Sequence, residues 1–116
     1  MVRSSPSSAE ARVAETATVF AALGDETRLR IVTRLCRSGP LSIVRLTEGT
    51  HVTRQAVTKH LRALSAAGLV RGQRIGREMV WELEPRRLAE VRRYLESISK
   101  QWDDAIRRLK ALVETR

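Results

Sequence analysis

Apolar side chains recur at alternating spacings of three and four residues through the last part of the chain. The series consists of Leu88, Val91, Leu95, Ile98, Trp102, Ala105, Leu109 and Leu112. This heptad pattern predicts one continuous helix with an apolar seam, about 42 Å long at about 1.5 Å per residue. A chain of 116 residues has a core too small to cover a seam of that length. We therefore expect the seam to pack against a second copy of the chain.

Two alternatives to this interpretation remain open. The seam can instead fold back onto its own domain, and Trp102 can form one wall of a ligand pocket rather than part of a dimer core. The heptad pattern by itself does not separate these arrangements, because each of them covers the same apolar face.

Shorter helices precede the seam. Apolar residues at helical spacing predict helices over residues 8–23, 26–38, 42–48 and 54–67, with Asp25 and Thr53 as N-caps. Between residues 69 and 83 the apolar period changes to two around Ile75-Gly76-Arg77, which predicts a β-hairpin. Pro85 suits the first turn of the last helix. The sequence thus predicts a mainly α fold with one hairpin, divided into a disordered tail (1–8), a compact domain (9–84) and a long helix (85–116).

Composition narrows the class of protein. Apolar residues make up 42% of the chain and aromatic residues 3%, which predicts a soluble domain with an aliphatic core. No apolar run approaches the roughly 18 residues that span a bilayer, and the first residues lack a signal-peptide core, so we expect a cytoplasmic protein. The sequence contains no glycine-rich phosphate loop, HExxH motif or nucleophile–base set. We therefore expect neither an enzyme nor a cofactor.

Positive charge is concentrated in one segment. The net charge is +9, and residues 53–77 hold six cations and no acidic residue. These cations are Arg54, Lys59, Arg62, Arg71, Arg74 and Arg77. Taken alone, such a run can be an ordinary solvated face. Because like charges within a folded segment repel one another, the run also indicates a polyanionic partner.

The predicted fourth helix separates apolar from polar residues. Val57, Leu61 and Leu64 form an apolar stripe. The opposite face carries Arg54, Gln55, Thr58, Lys59 and Arg62. Two short helices, a tight turn, an amphipathic helix and an arginine-tipped hairpin form a set suited to DNA, because a major groove admits one helix.

Side-chain chemistry assigns roles within this set. Arg and Lys pair with guanine, Gln pairs with adenine, and Thr contacts a thymine methyl group or a phosphate. We therefore expect base contacts from the start of the fourth helix and phosphate or minor-groove contacts from its later part and the hairpin. The candidate DNA-binding residues are Thr53, Arg54, Gln55, Thr58, Lys59, Arg62, Arg74 and Arg77.

The same segments resemble a known family. The stretch TRQAVTKHLRALSAAGLVRGQRIGREMVWEL, with ALGDETRLRIVTRL upstream, closely resembles the ArsR/SmtB-type winged helix-turn-helix repressors over residues 20–113. ISKQWDDAIRRLKALVE is similar to the last helix of a subgroup of them. The resemblance implies a homodimer formed by the first and last helices, with the fourth helices in adjacent major grooves. The implied interface contains Val13, Ala17, Phe20, Leu88, Val91, Leu95, Ile98, Trp102 and Leu109.

The chain departs from this family where metal would bind. The family's cysteine pair at the start of the third helix is missing from PLSIVRLTEG, and the last helix has Asp103 and Asp104 but no histidine. We therefore expect no metal site. His51 replaces the usual turn glycine, while Gly49 lies two residues earlier, so the turn can have a different shape.

Three side chains admit two interpretations each. Cys36 is expected to be a small buried side chain, with redox sensing as the alternative. His60 is expected to be a hydrogen-bonded structural residue rather than a DNA contact, and His51 to be exposed, with a phosphate contact as the alternative.

These observations predict a homodimeric transcriptional repressor that binds a palindromic double-stranded operator near its own gene. A small-molecule inducer is left open. The rival interpretations are a winged helix that binds DNA or RNA by shape and charge alone, and one whose basic face binds an acidic protein.

Overall fold

The computed structural model describes residues 8–115. Its elements are α1 (Ser8–Leu23), α2 (Glu26–Ser38), β1 (Leu41–Ser42), α3 (Ile43–Thr47), α4 (Arg54–Ala66), β2 (Val70–Ile75), β3 (Glu78–Leu83) and α5 (Pro85–Glu114). The first four predicted helices and the hairpin are confirmed to within one residue at each end. The last helix begins at Pro85 as predicted and ends at Glu114, two residues before the predicted end. Of the predicted tail, residues 1–7 lie outside the described residues, and Ser8 is the first residue of α1.

Local signals account for the helix starts. The Asp25 carboxylate accepts a hydrogen bond from the Arg28 backbone N–H (3.0 Å), and the Thr53 hydroxyl accepts one from that of Ala56 (3.1 Å). Each bond satisfies a first-turn N–H that has no partner within its own helix. α5 begins at Pro85, whose missing N–H costs nothing at that position.

The sheet contains one strand that the sequence did not predict. β1 pairs antiparallel with β3, with Leu41 opposite Trp81, so the strand order is β1-β3-β2. Two residues are too few to show an alternating pattern, and β1 exists because β3 offers a free edge beside it. This pairing connects the start of α3 to the hairpin.

The hairpin turns more tightly than predicted. Ile75 lies opposite Glu78 within the β2–β3 ladder, which leaves Gly76 and Arg77 as a two-residue turn. Gly76 has a φ of 63°, a left-handed conformation that glycine adopts without strain. Arg77 therefore lies at the tip of the wing, the name used below for β2, β3 and this turn.

The core is aliphatic, as composition predicted. Its fully buried side chains are Val19, Ile31, Leu46, Val57, Leu61, Leu64 and Leu69. The core fills the space between α1–α4 and the base of the wing, and Val91 near the start of α5 closes it. None of the helices within residues 8–115 combines the length and the apolar character that a bilayer span needs.

One prediction about α2 is wrong. Cys36 is exposed rather than buried, and Leu29 on the same side of the helix is 49% exposed. α2 directs Ile31, Val32 and Leu35 into the core. Because successive residues turn by about 100° around a helix, Leu29 and Cys36 lie together well to one side of that face.

Candidate nucleic-acid interface

α4 presents a polar surface because its other face is anchored in the core. Val57, Leu61 and Leu64 are each 0% exposed, which fixes the rotation of the helix about its axis. Its outward side chains are Arg54, Gln55, Lys59 and Arg62, all exposed. Among residues 8–115 these four side chains have no hydrogen-bond or ion-pair partner. They are therefore available to a ligand.

Arginines from α4 and from the wing line one groove. Arg54 and Arg62 face Arg74 and Arg77 across a depression of about 490 Å³. No carboxylate within the described part of the chain pairs with any of these four guanidinium groups. The groove therefore concentrates positive charge between α4 and the hairpin, where a phosphate chain beside an inserted helix would lie.

A shallower depression of about 710 Å³ follows the outer side of α4 and is lined by Thr53, Gln55, Ala56, Thr58, Lys59 and Arg62. Thr58 and Arg62 line both depressions. All eight predicted residues thus lie around one continuous surface. Two of their hydroxyl groups already bond within the helix, because Thr53 caps it and the Thr58 hydroxyl donates to the Arg54 carbonyl (2.9 Å).

Several residues of this surface were not singled out from the sequence, and two of them bear on its chemistry. Val44 on α3 is 43% exposed and lines the groove between α4 and the wing. Glu78, beside the hairpin turn, lines the same groove and carries the charge opposite to that of its neighbours. The position of Glu78 directly after Arg77 in the sequence is the signal that could have placed it there.

One cation of the basic segment is neutralised. The Arg71 guanidinium forms ion pairs with Glu82 (2.8 Å) and Glu84 (3.1 Å) at the base of the wing. The Glu82 hydrogen bond is the largest of the effects that raise the pKa of Arg71. Arg71 therefore holds the wing to the start of α5 and contributes little free charge to the surface.

An arginine of α2 fixes the end of α3. The Arg34 guanidinium donates to three backbone carbonyls, those of Arg45 (2.8 Å), Leu46 (2.8 Å) and Glu48 (3.1 Å). The last carbonyls of a helix have no partner within the helix, and α3 is only five residues long. Arg34 thereby holds the point where the chain leaves α3 and turns toward α4.

A second contact joins α4 to the corner between α1 and α2. His60 Nδ1 accepts a hydrogen bond from Arg28 Nε (3.3 Å), and the Arg28 Nη1 group donates to the Ala22 carbonyl (3.2 Å). The structural role predicted for His60 is confirmed. Asp25 Oδ2 lies 3.8 Å from His60 Nδ1, and the hydrogen bond from the Arg28 backbone N–H holds the pKa of the Asp25 carboxyl below its ordinary value.

In the turn between α3 and α4 the glycine, Gly49, lies two residues before His51. Gly49 has a φ of 80° and supplies the left-handed conformation that the turn requires, and no other residue type in the described chain has a positive φ. His51 is exposed in the same turn. The replacement of the usual turn glycine by His51 therefore causes no backbone strain.

The predicted dimer residues divide into two groups. Leu88 is half-buried and Val91 is buried within the chain's own core. The others are exposed, namely Val13, Ala17, Phe20, Leu95, Ile98, Trp102 and Leu109. Trp102 exposes 67% and Leu109 61% of their surface. Within the described chain, α5 buries no residue beyond Val91, so the seam does not fold back onto its own domain.

The exposed apolar face is wider than the predicted seam. Ile106 and Val113, each one residue past a seam position, are also exposed. Three apolar positions per heptad are typical of a helix that packs against more than one neighbour, whereas a two-stranded coiled coil needs two. Within residues 8–115, no group of three or more His, Cys, Asp or Glu side chains is arranged to hold a metal ion.

Comparisons with known proteins show what this arrangement is similar to. Residues 23–73 match a family profile described as a helix-turn-helix domain. The HTH-type transcriptional repressor SmtB of Mycobacterium tuberculosis is 35% identical over 85 residues, which cover 73% of this chain and 61% of that protein. The chain thus spans less than two thirds of this curated relative.

Solved structures match over nearly their whole length. An ArsR-like transcriptional regulator from Rhodococcus sp. RHA1 is 41% identical with a TM-score of 0.75, covering 88% of this chain and 95% of that one. A homodimeric winged helix-turn-helix DNA-binding domain from Mycobacterium bovis is 24% identical with a TM-score of 0.65, covering 91% and 94%. The second likeness concerns the fold alone.

Proposed function

This chain belongs to the ArsR/SmtB family of winged helix-turn-helix transcriptional regulators, which are not enzymes, and from that premise we propose that it is a homodimeric repressor of transcription. It binds a palindromic double-stranded DNA operator near its own gene, in the cytoplasm. The observation that carries this proposal is the surface around α4 and the wing. Its cations lack partners within the described residues and lie beside base-capable side chains.

In this proposal α4 enters the major groove. Arg54, Gln55, Thr58 and Lys59 meet base edges at the start of the helix, and each good bidentate contact contributes about 1–3 kcal/mol of discrimination. Arg62, Arg74 and Arg77 neutralise phosphates on the side of the groove nearest the wing, and the Thr53 end of α4 approaches the backbone. The surface fits this division between base contacts and phosphate contacts, because Arg62 lines both the groove beside the wing and the depression along the outer side of α4.

We propose that residues 85–116 act mainly in dimerisation. The apolar side chains left exposed on α1 and α5 support this, because a soluble domain rarely leaves a long apolar stripe in water. The Mycobacterium bovis neighbour of similar fold is homodimeric. Two copies related by a two-fold axis place their α4 helices in half-sites about one DNA turn apart, roughly 34 Å.

We further propose that the protein is not a metal sensor of the usual family type. The cysteine pair is missing from PLSIVRLTEG, and α5 lacks histidine. The chain has one cysteine, Cys36, and two histidines, His51 and His60, and His60 already accepts a hydrogen bond from Arg28. A closed site for zinc needs four well-placed ligands. Zinc and arsenite are therefore expected to leave operator affinity unchanged.

A three-way binding comparison tests the function. Fluorescence anisotropy of the full chain is measured on duplexes from the region upstream of its gene, on scrambled duplexes of equal length and on double-stranded RNA. The proposal expects preference for one upstream duplex over the scrambled one by roughly a thousandfold or more at physiological salt. Equal affinity for both DNA duplexes indicates binding by charge alone, and preference for RNA or for neither nucleic acid contradicts the proposal.

A further inference from the structure

A groove lies between α1 and the first half of α5. Its volume is about 480 Å³, within the range of roughly 300–1,000 Å³ that is typical of small-molecule sites. None of the residues proposed to contact DNA lines it. The groove is therefore a separate concave surface of the molecule, and the DNA proposal does not account for it.

The groove has an apolar floor. Val19 of α1 and Val91 of α5 are both buried and line it from opposite sides. Tyr94, which is half-buried, adds an aromatic ring and a hydroxyl group on the α5 side. Apolar walls with a few polar groups are the usual composition of a ligand site.

The rim carries cations that are only partly compensated. Arg87 is ion-paired with Glu15 (3.4 Å) and Glu90 (3.1 Å), so its charge is neutralised inside the groove. Arg12 of α1 and Arg93 of α5 also line the groove, and neither has a hydrogen-bond or ion-pair partner within residues 8–115. Two free guanidinium groups thus flank an apolar floor from two different helices.

We propose that this α1–α5 groove binds a small organic carboxylate with an apolar body. The apolar body lies on Val19 and Val91, and the carboxylate lies between Arg12 and Arg93. Guanidinium groups bind carboxylates through short, charge-assisted hydrogen bonds, which fits them to this head group. The proposal goes beyond the proposed function and does not depend on DNA binding.

An apolar helix of a second copy fits this groove less well. The apolar seam side chains of a partner's α5 supply no counter-ion for Arg12 or Arg93, so seating the seam on the rim would desolvate both charges at a cost. The exposed dimer residues of α1 lie mainly along the stripe of Val13, Ala17 and Phe20. Of the nine residues of the implied interface, Val13 and Val91 alone border the groove, and Val91 is buried in the chain's own core.

Isothermal titration calorimetry of the full chain tests the proposal with three probes. 1-Naphthoate and decanoate carry the same head group on an aromatic and an aliphatic body, and 1-naphthalenemethanol lacks the charge. We expect at least one carboxylate to bind saturably with one molecule per protomer. The affinity of the neutral alcohol should be lower by about tenfold or more. Which carboxylate binds distinguishes an aromatic from a fatty-acid ligand.

Substitutions locate the site. Arg12→Gln and Arg93→Gln are each expected to weaken carboxylate binding about tenfold. Arg92→Gln is the matched control, because Arg92 is the adjacent residue, pairs with Glu96 (3.1 Å) and does not line the groove. All three positions are exposed, and circular dichroism checks that each variant folds.

The outcomes are separable from those of the DNA experiment. The groove proposal is overturned if neither carboxylate binds saturably, if the neutral alcohol binds as tightly, or if the Arg12 and Arg93 variants bind like the Arg92 variant. Operator affinity is measured on the same samples without probe and is expected to be unchanged in all three variants. Loss of carboxylate binding with intact operator binding therefore concerns the groove alone.

Discussion

Replacing Arg34 by Met removes the guanidinium that holds the end of α3 while keeping a side chain of similar length. Three hydrogen bonds are lost, to the carbonyls of Arg45, Leu46 and Glu48. A hydrogen bond to a charged group contributes about 1.5–3 kcal/mol net. The bonds to Arg45 and Glu48 are exposed and the bond to Leu46 is partly buried. Water can therefore replace the first two more easily than the third.

The expected cost of Arg34→Met is therefore about 2 kcal/mol of unfolding free energy, close to the value for one bond rather than three. In urea, with a slope of about 2 kcal/mol per molar, the unfolding midpoint falls by about 1 M. Protein concentration is held equal between samples because the stability of a dimer depends on it. Arg34→Lys keeps the charge but cannot reach three carbonyls at once, so we expect an intermediate loss.

Arg37→Met is the matched control, because Arg37 is on the same helix, is exposed and has no side-chain partner within the described chain. Since Arg34 sets where the chain leaves α3, operator affinity is expected to fall more than affinity for scrambled DNA. The reasoning is refuted if Arg34→Met unfolds at the same urea concentration as Arg37→Met and keeps full operator preference.

Three further predictions concern the interface, the dimer and acid stability. Gln55→Ala should relax preference at one symmetric pair of operator positions by about 1–3 kcal/mol per half-site. Arg74→Ala should instead weaken operator and scrambled DNA alike and flatten the slope of log affinity against log salt by about 0.9 per protomer, as a salt titration will show. The double variant Ile98→Asp, Leu109→Asp would bury unpaired charges in the proposed dimer interface, so sedimentation should show a monomer or an unfolded chain. A stable dimer of this variant would contradict the proposal that α5 forms the interface. Because the folded pKa of Asp25 is lowered, its contribution to stability is present above the unfolded pKa of about 4 and is lost as the pH falls through the folded value. Asp25→Asn keeps an N-cap side chain but removes the titrating carboxyl group. Below about pH 4 the stability of this variant should therefore fall less steeply than that of the natural chain, as acid unfolding monitored by circular dichroism will show.

Periodic features of the sequence predicted most of the fold, because period and capping are local properties. The helices, the hairpin and the basic face of α4 each leave a repeat or a cap within a few residues. β1 left no such signal, since two residues cannot show a period and its existence depends on pairing with β3. The burial of Cys36 was predicted wrongly because the sequence defines the edge of an apolar stripe only to about one residue, which is about 100° around the helix.

Long-range polar contacts were beyond sequence reasoning for a different reason. Arg34 reaches carbonyls 11 to 14 positions away, and Arg28 reaches His60 across 32 positions. Backbone carbonyls are present at every residue, so no sequence pattern marks the ones that accept such bonds. The sequence could show that α2 carries arginines, but only the packed structure shows that two of them brace the two helices of the helix-turn-helix unit.

Arg71 shows how this difference changes the electrostatic argument. In the sequence Arg71 belongs to a segment that holds six cations and no acidic residue. That count considers only neighbours along the chain and not those across the hairpin. In the folded hairpin the register places Glu82 directly opposite Arg71, and Glu84 lies within 3.1 Å of its guanidinium. The charge that remains free comes from five cations that border one surface, around α4 and the tip of the wing. Pairing thus removes the cation at the base of the wing and leaves the free charge where a DNA backbone can reach it, which sharpens the site beyond what the count of charges indicates.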